Sequence, residues 1–405
     1  MAMTLTWARP VLAVAAGLAL AASATGWASG AASASGATGT GGPSGIGPAP
    51  SSVRPAATRP SESGRFYGVA ATSARNVWAV GLQQGSLIMR WSGSRTQRYR
   101  WRVSSTKLPG FLSGVAATSE SNAWAVGGTD WFSPLTVAAH WNGETWTQVP
   151  TPTPAGTAYF EAVTATSPDN AWAVGVIGDG PAVDGSVDPL IEHWNGTTWS
   201  QASYPEPAQG QFAAVAAISA DDVWAVGHIG SGPLTETLIE NWNGQQWTIV
   251  PSNVPDDLGT LEGVAATGPD DAWAVGYTQS GPGGDYESLI LHWNGQQWSV
   301  VPSPNPTGQT DLWRVAAASP NDAWAVGYTN PNTCSPLCGT ATLHWNGTRW
   351  ATVRSVNPPG SSLSMLADVA IISARNVWAV GSYDGWSATL IEHWTGKRWI
   401  WHLPS

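Results

Sequence analysis

The alternation of apolar and polar positions repeats one unit seven times, from about residue 64 to the end of the chain. The fifth unit shows the pattern. Leu261 to Thr267 is a run of small and apolar residues that reads as a strand. Gly268-Pro269-Asp270-Asp271 is a turn, because Pro presets φ and Asp tolerates turn geometry. Ala272-Trp273-Ala274-Val275-Gly276 is a second strand, with Trp273 and Val275 on one face and Ala272, Ala274 and Gly276 on the other. A variable Gly-rich loop follows, then a third strand from Ser288 to Trp293. Asn294-Gly295 predicts a tight hairpin, since both residues accept positive φ. Gln297 to Val301 is the fourth strand, ended by Pro302.

The strand-two motif Trp-Ala-Val-Gly starts at Trp78, Trp124, Trp172, Trp224, Trp273, Trp324 and Trp378. A second Trp stands before the hairpin turn at Trp91, Trp141, Trp194, Trp242, Trp293, Trp345 and Trp394. A third follows it at Trp101, Trp146, Trp199, Trp247, Trp298, Trp350 and Trp399. These sets hold most of the 27 tryptophans. Four antiparallel strands in roughly 50 residues are the signature of a propeller blade. One face of strand two is bulky and the other nearly bare, so the large face of one blade can press into the small face of its neighbour. The first and last units carry the full pattern without the polar caps a solenoid needs. The expected fold is therefore all-β: a seven-bladed β-propeller of four-stranded antiparallel blades. The blades span about 64–108, 109–156, 157–208, 209–257, 258–309, 310–360 and 361–405. Strand one belongs at the axis, where crowding demands small residues such as Val-Ala-Ala, and strand four at the rim. Each blade is complete within its own repeat, so blades one and seven are expected to close by packing alone.

Composition adds a location. Arg9 is the only charge before an apolar run from Val11 to Ala22, and Ala22-Ser23-Ala24 offers a small-residue cleavage site, with Ala32-Ser33-Ala34 as a second. Residues 1–24 read as a signal peptide, the alternative being an uncleaved anchor. The run is short for a transmembrane helix, so no membrane span is expected after cleavage. Residues 25–63 are Gly, Ser, Ala and Pro with too little apolar surface to fold, a disordered linker. The expected product is secreted or cell-surface, and a monomer. A net charge of −10, with 17 scattered basic residues, excludes a nucleic-acid partner.

The repeated Asp/Asn-Val/Ala-Trp-Ala-Val, followed by Leu-Ile-x-His-Trp-Asn-Gly-x-x-Trp, resembles the tectonin repeat of lectin-type propellers. The Gly that ends strand two and the aromatic-then-Trp pair around strand four resemble kelch repeats of the galactose-oxidase type. The resemblance covers about Gly64 to Ser405, in what looks like an exported protein of bacterial type. It departs from kelch because strand two ends in the Gly-Gly doublet only at Gly127-Gly128, and the units are longer than is usual for tectonin. The tectonin likeness implies a lectin role. The copper ligands and Tyr-Cys pair of the kelch-like oxidases have no counterpart here, nor does the converging Arg set of a sialidase. A binding module without a cofactor is expected, with a hydrolase or other propeller enzyme as the third choice behind a protein scaffold.

A residue found at the same place in most blades is structural. By that filter the Asp/Asn of each strand two (Asn76, Asn122, Asn170, Asp222, Asp271, Asp322, Asn376) stabilises a turn. His140, His193, His292, His344 and His393 likewise mark a tolerant position and no metal cluster, since Arg90 and Asn241 replace them in two blades. Cys334 and Cys338 are the only cysteines, and an exported protein is expected to join them in a local disulfide. Asp179, Asp184 and Asp188 in a Gly-rich loop are a weak calcium candidate; a solvated loop is the plainer reading. The sequons at Asn195 and Asn346 are hairpin turns.

Strand direction places the short one-two and three-four turns on one face of the disc, and the variable two-three and four-one loops on the other. Variable loops on a rigid scaffold are where function sits. Trp131 and Trp386 lie in such loops of blades two and seven, on either side of blade one with its short loop at Gln83 and Gln84. The candidate site is a depression over blade one formed by Trp131, Phe132, Asp130, Gln83, Gln84, Tyr383, Asp384 and Trp386. The plainer alternative packs these aromatics under their own loops. The expected ligand is carbohydrate or a cell-envelope polymer, or else an envelope protein.

Overall fold

The computed structural model describes residues 63–403, except 94–98, 106, 153, 155, 179–186, 206–208, 231–234, 256–257, 280–285, 306–308, 330–338, 360, 362 and 386. The signal segment, linker residues 25–62, Cys334, Cys338, Asp179, Asp184 and Trp386 lie outside the described residues. Seven four-stranded antiparallel sheets follow one another in chain order, each built from four consecutive strands. Blade one consists of β1 (Arg65–Ser73), β2 (Asn76–Leu82), β3 (Ser86–Ser92) and β4 (Arg100–Ser105). Blade seven repeats it at Ser364–Ser373, Asn376–Tyr383, Ala388–Trp394 and Trp399–Trp401. The first strands of successive blades pack side by side, and β1 packs against the first strand of blade seven, so the disc is a closed ring. No strand is exchanged between described sheets. Closure adds one bridge, Ser63 with Ala388, and the Gly64 N–H donates to the Ser387 carbonyl at 3.0 Å.

The two faces of strand two pack as their residue sizes dictate. Trp273 and Val275 enter the apolar cluster shared with blade six, while Ala272 and Ala274 enter the one shared with blade four. Each strand-two Trp fits against the two tryptophans that flank the next blade's hairpin. Trp78 meets Trp141 at 5.1 Å and, edge to face, Trp146 at 5.2 Å between ring centroids. The cycle closes where Trp378 meets Trp91 at 5.0 Å and Trp101 at 5.4 Å. Aromatic pairs in this geometry add to what area burial alone supplies.

The motif's glycine has a steric cause. A Cβ on Gly81 would lie 2.0 Å from the Arg65 carbonyl oxygen, and the six equivalent glycines meet the same contact at 1.9 to 2.1 Å. Strand one can approach strand two this closely only where strand two has no side chain. The hairpins follow their sequence as well. Asn195 Oδ1 accepts from the N–H groups of Thr197 and Thr198 at 3.0 Å, and Gly196 takes φ 92°. Asn346 does the same beside Gly347.

One strand-three position breaks the apolar rule. Met89, Leu291 and Leu343 occupy it in three blades and are core residues, yet blades three, four and seven place Glu192, Glu240 and Glu392 there, all fully buried. Neither oxygen of Glu192 or Glu240 has a hydrogen-bond partner, nor has Glu392 Oε1. Burial pushes all three carboxyls up to about 8. They are therefore held as neutral acids near neutral pH.

Truncating Trp378 to Ala should lower stability by about 3–5 kcal/mol in denaturant unfolding. A loss near zero would contradict closure through that residue. The folded chain keeps the Glu192, Glu240 and Glu392 protons to about pH 8, whereas the unfolded chain releases them near 4.5. Stability should thus fall as pH rises between those values, by up to about 1.4 kcal/mol per pH unit for each group. Glu192→Leu with Glu240→Leu should raise the unfolding midpoint at pH 8 and flatten its pH profile, as measured by urea titration from pH 5 to 9.

Candidate functional site

The first strand of every blade contains a bulge at one fixed place. The register between β1 and β2 steps from Phe66 to Gly68 and leaves Tyr67 unpaired. The same step leaves out Ser113, Glu161, Ala213, Glu262, Trp313 and Ala367 in the other six blades. A bulge re-aims the side chain it frees. Beside it the scaffold does not vary: Phe or Leu stands before each bulge, and Val69, Val115, Val163, Val215, Val264, Val315 or Val369 two residues after it. The bulged residue itself is Tyr, Ser, Glu, Ala, Glu, Trp or Ala. The position two before the bulge also varies: Arg65, Phe111, Tyr159, Gln211, Thr260, Asp311 and Met365.

These variable side chains meet at the axis. Glu161 of blade three is drawn toward ionisation by Arg314 of blade six and opposed by Glu262 of blade five. Tyr67 of blade one senses Glu161 as well. Blades that are not neighbours can interact this way only across the centre of the ring. Burial, the dominant cause, raises Glu161 to about 7, while the Tyr159 hydroxyl donates to it; its Oε1 has no hydrogen-bond partner. Burial and then Glu262 raise Asp311 to about 8, against hydrogen bonds from Trp313 and Tyr328. Burial raises Asp368 to about 6, against Arg314 and the N–H groups of Val69 and Val369. Asp368 Oδ2 accepts from the Val69 N–H at 2.7 Å, a polar bond across the closing seam between blades seven and one. Arg314 also donates to the Glu262 and Trp313 carbonyls. Glu161, Glu262 and Asp368 thus meet around the Arg314 guanidinium, while Asp311 is coupled to this group through Glu262, and Arg65 through Tyr67.

Trp131 lies at the edge of this group. It stacks face to face on Phe111, centroids 3.8 Å apart, and meets Tyr67 edge-on at 6.4 Å; Phe111 in turn meets Tyr159 at 5.9 Å. The loop aromatic therefore packs on the first strands near the axis and remains half-buried. Phe132 is 75% exposed. Asp130 Oδ1 accepts from the Phe132 and Ser133 N–H groups at 2.8 and 2.7 Å, which shapes the loop. Gln83 Nε2 donates to Ser63 Oγ at 3.3 Å, and Gln84 takes φ 64° in its turn. Tyr383 packs edge-on against Trp401 at 6.1 Å, with exposed Asp384 beside it at φ 53°. Asp188 sits in the third strand of blade three opposite Ile177. Among the described residues no group of His, Cys, Asp and Glu is arranged to hold a metal ion.

The repeated polar residues pair with one another. His140 Nε2 lies 2.6 Å from Asn122 Oδ1, His193 2.6 Å from Asn170 Oδ1, and His393 2.8 Å from Asn376 Oδ1. His292 and His344 meet Asp271 and Asp322 at 2.8 Å. In blade one Arg90 Nη2 donates to Asn76 Oδ1 at 2.7 Å and its guanidinium covers Trp78 at 4.6 Å. The imidazoles rest on the strand-two tryptophans in the same way, as His193 does on Trp172 at 4.2 Å. Each ring supports a Trp and anchors a turn.

The axial acids and Trp313 were not among the residues the sequence pointed to. Reading strand one as a plain strand of small residues overlooked the bulge, which lets large side chains enter at one level of the axis while Ala and Val keep the rest tight. The available signal was the contrast between an unvarying Val and a bulge residue that differs among blades.

Fold and axial ring together define a seven-bladed propeller. Three solved structures share that architecture. YCF48 bound to a D1 peptide matches with a TM-score of 0.52 at 14% identity, over 82% of this chain and 94% of that one. The WD40 β-propeller domain of Doa1 gives 0.51 at 13%, over 81% and 93%. YCF48 from Cyanidioschyzon merolae gives 0.50 at 13%, over 82% and 95%. At such identities the likeness is one of fold alone. No family model and no curated protein matches the chain.

Proposed function

We propose that the protein is a non-catalytic binding module, exported by residues 1–24, that recognises carbohydrate or another cell-envelope polymer where the variable-loop face meets the axis. One observation supports this above the others: an aromatic surface of Trp131, Tyr67 and Tyr159, with Trp131 backed by the buried Phe111, stands beside Glu161 and Arg65, at positions the scaffold leaves free to vary. Sugars offer apolar C–H faces edged by hydroxyls, and a flat aromatic with nearby acceptors and donors complements both. The exposed Phe132 extends the surface outward. A second reading is an extended peptide of an envelope protein, since a propeller of this fold, YCF48, is bound to a D1 peptide.

A screen against glycans and cell-wall polysaccharides, with Trp131→Ala alongside, tests the first reading. At least one polysaccharide should retain the chain, and Trp131→Ala should weaken that binding about tenfold or more while the fold is kept. If nothing in the screen is retained, the carbohydrate reading fails and the peptide reading takes its place.

A further inference from the structure

A second concentration of unusual side chains lies between blades five and six. Asp311 is the second residue of the first strand of blade six and pairs in register with Tyr328 on the second strand. It is 1% exposed. Trp313 Nε1 donates to Asp311 Oδ2 at 3.1 Å, and the Tyr328 hydroxyl also donates to the carboxyl. Asp311 Oδ1 has no hydrogen-bond partner. Trp313 and Tyr328 meet edge to face at 5.4 Å, and Tyr277 and Tyr286 of blade five do so at 4.9 Å. Trp313, Tyr328 and Tyr286 keep part of their surface in solvent. Tyr277, Tyr286 and Glu262 all feel the Asp311 charge or add to its burden.

The scaffold does not ask for these residues. The positions equivalent to Asp311 hold Arg65, Phe111, Tyr159, Gln211, Thr260 and Met365, with no other acid. Those equivalent to Tyr328 hold Leu82, Gly128, Val176, His228, Tyr277 and Ser382. A buried carboxyl oxygen without a donor is costly; here Trp313 and Tyr328 bond to the carboxyl, and Tyr277 and Tyr286 lie close enough to feel its charge. Aromatic faces and a carboxylate attract the same ligand chemistry, an organic cation. The unpartnered oxygen calls for an N–H donor, which a quaternary ammonium lacks. A divalent metal would need several oxygen ligands, and among the described residues no group of His, Cys, Asp and Glu is arranged to supply them.

We infer that the cluster of Tyr277, Tyr286, Trp313 and Tyr328 around Asp311 seats a primary ammonium group, whose N–H donates to Asp311 Oδ1. This place is separate from the Trp131 surface, so the two can fail independently. Asp311 is raised to about 8, so entry of the cation displaces its proton near neutral pH. Glu262, Tyr277, Tyr286 and Tyr328 are the other titratable groups that face it.

Isothermal titration of the full chain at pH 7 with n-butylammonium tests the inference. Tetramethylammonium and n-butanol serve as controls, and each titration is repeated in two buffers of different ionisation enthalpy. The expected result is saturable binding of n-butylammonium with proton release, and weak or no binding of the controls. Asp311→Asn should weaken binding about tenfold to hundredfold. Tyr328→Phe should weaken it less, and Trp131→Ala should leave it unchanged. Glucosamine and Nα-acetyl-lysine methylamide then separate a sugar amine from a lysine side chain as the source, through whichever binds more tightly. Absence of saturable n-butylammonium binding, equal binding of tetramethylammonium, or wild-type affinity in a folded Asp311→Asn chain would overturn the inference.

Discussion

The ring depends on one contact repeated around it: a strand-two tryptophan set against two tryptophans of the next blade. A single sheet of this kind has an apolar surface on both sides and no way to cover either. Stacking covers both, and only closure leaves no terminal blade with a bare side. The contact at Trp378 with Trp91 and Trp101 has nearly the geometry of those inside the chain, so the ends of the sequence meet as any two neighbours do. His402 adds to that seam, 5.1 Å from Trp378 and 5.5 Å from Trp91.

A scaffold this repetitive separates two kinds of residue. Trp, Gly, Ala and Val at fixed places hold the ring, and the His and Asp/Asn pairs brace the tryptophans and the turns. Side chains that differ from blade to blade at a fixed bulge are not part of that repeated framework, though Ser113 also donates to the Phe160 carbonyl of the next blade. They gather at the centre because the bulge turns one residue per blade out of the ladder. Function then needs no new element of structure. Seven positions at the axis, and seven more at the mouth, differ among the blades while the Trp contacts between blades stay the same, although Ser113 and Phe111 also touch the next blade at Phe160 and Tyr159.

Blade number, strand order, the bulky and bare faces of strand two and the Asn-Gly hairpins were all legible in the sequence, because each follows from local residue pattern. The turn role of Asn195 and Asn346 was legible too. What sequence hid was the outcome of non-local geometry. Nothing in the local pattern marks the Glu between Ile191 and His193 as buried, but in a propeller both sides of an inner strand are covered by neighbouring blades, and Glu192 is fully buried. Trp131 was legible as a loop aromatic, but its stack on Phe111 joins a loop to a strand brought near only by the fold. Glu161, Glu262, Arg314 and Asp368 come from four blades and converge only once the ring is closed.

The central claim is that the axial side chains serve something other than holding the ring together. Denaturant unfolding of a chain carrying Glu161→Ala and Glu262→Ala, the residue already present at Ala213 and Ala367, tests it most directly. The double variant should unfold at the same or a higher denaturant concentration than the parent, since it removes acids confined at the axis without touching a blade interface. A clearly earlier transition would show that the axial carboxylates are part of what keeps the seven blades assembled.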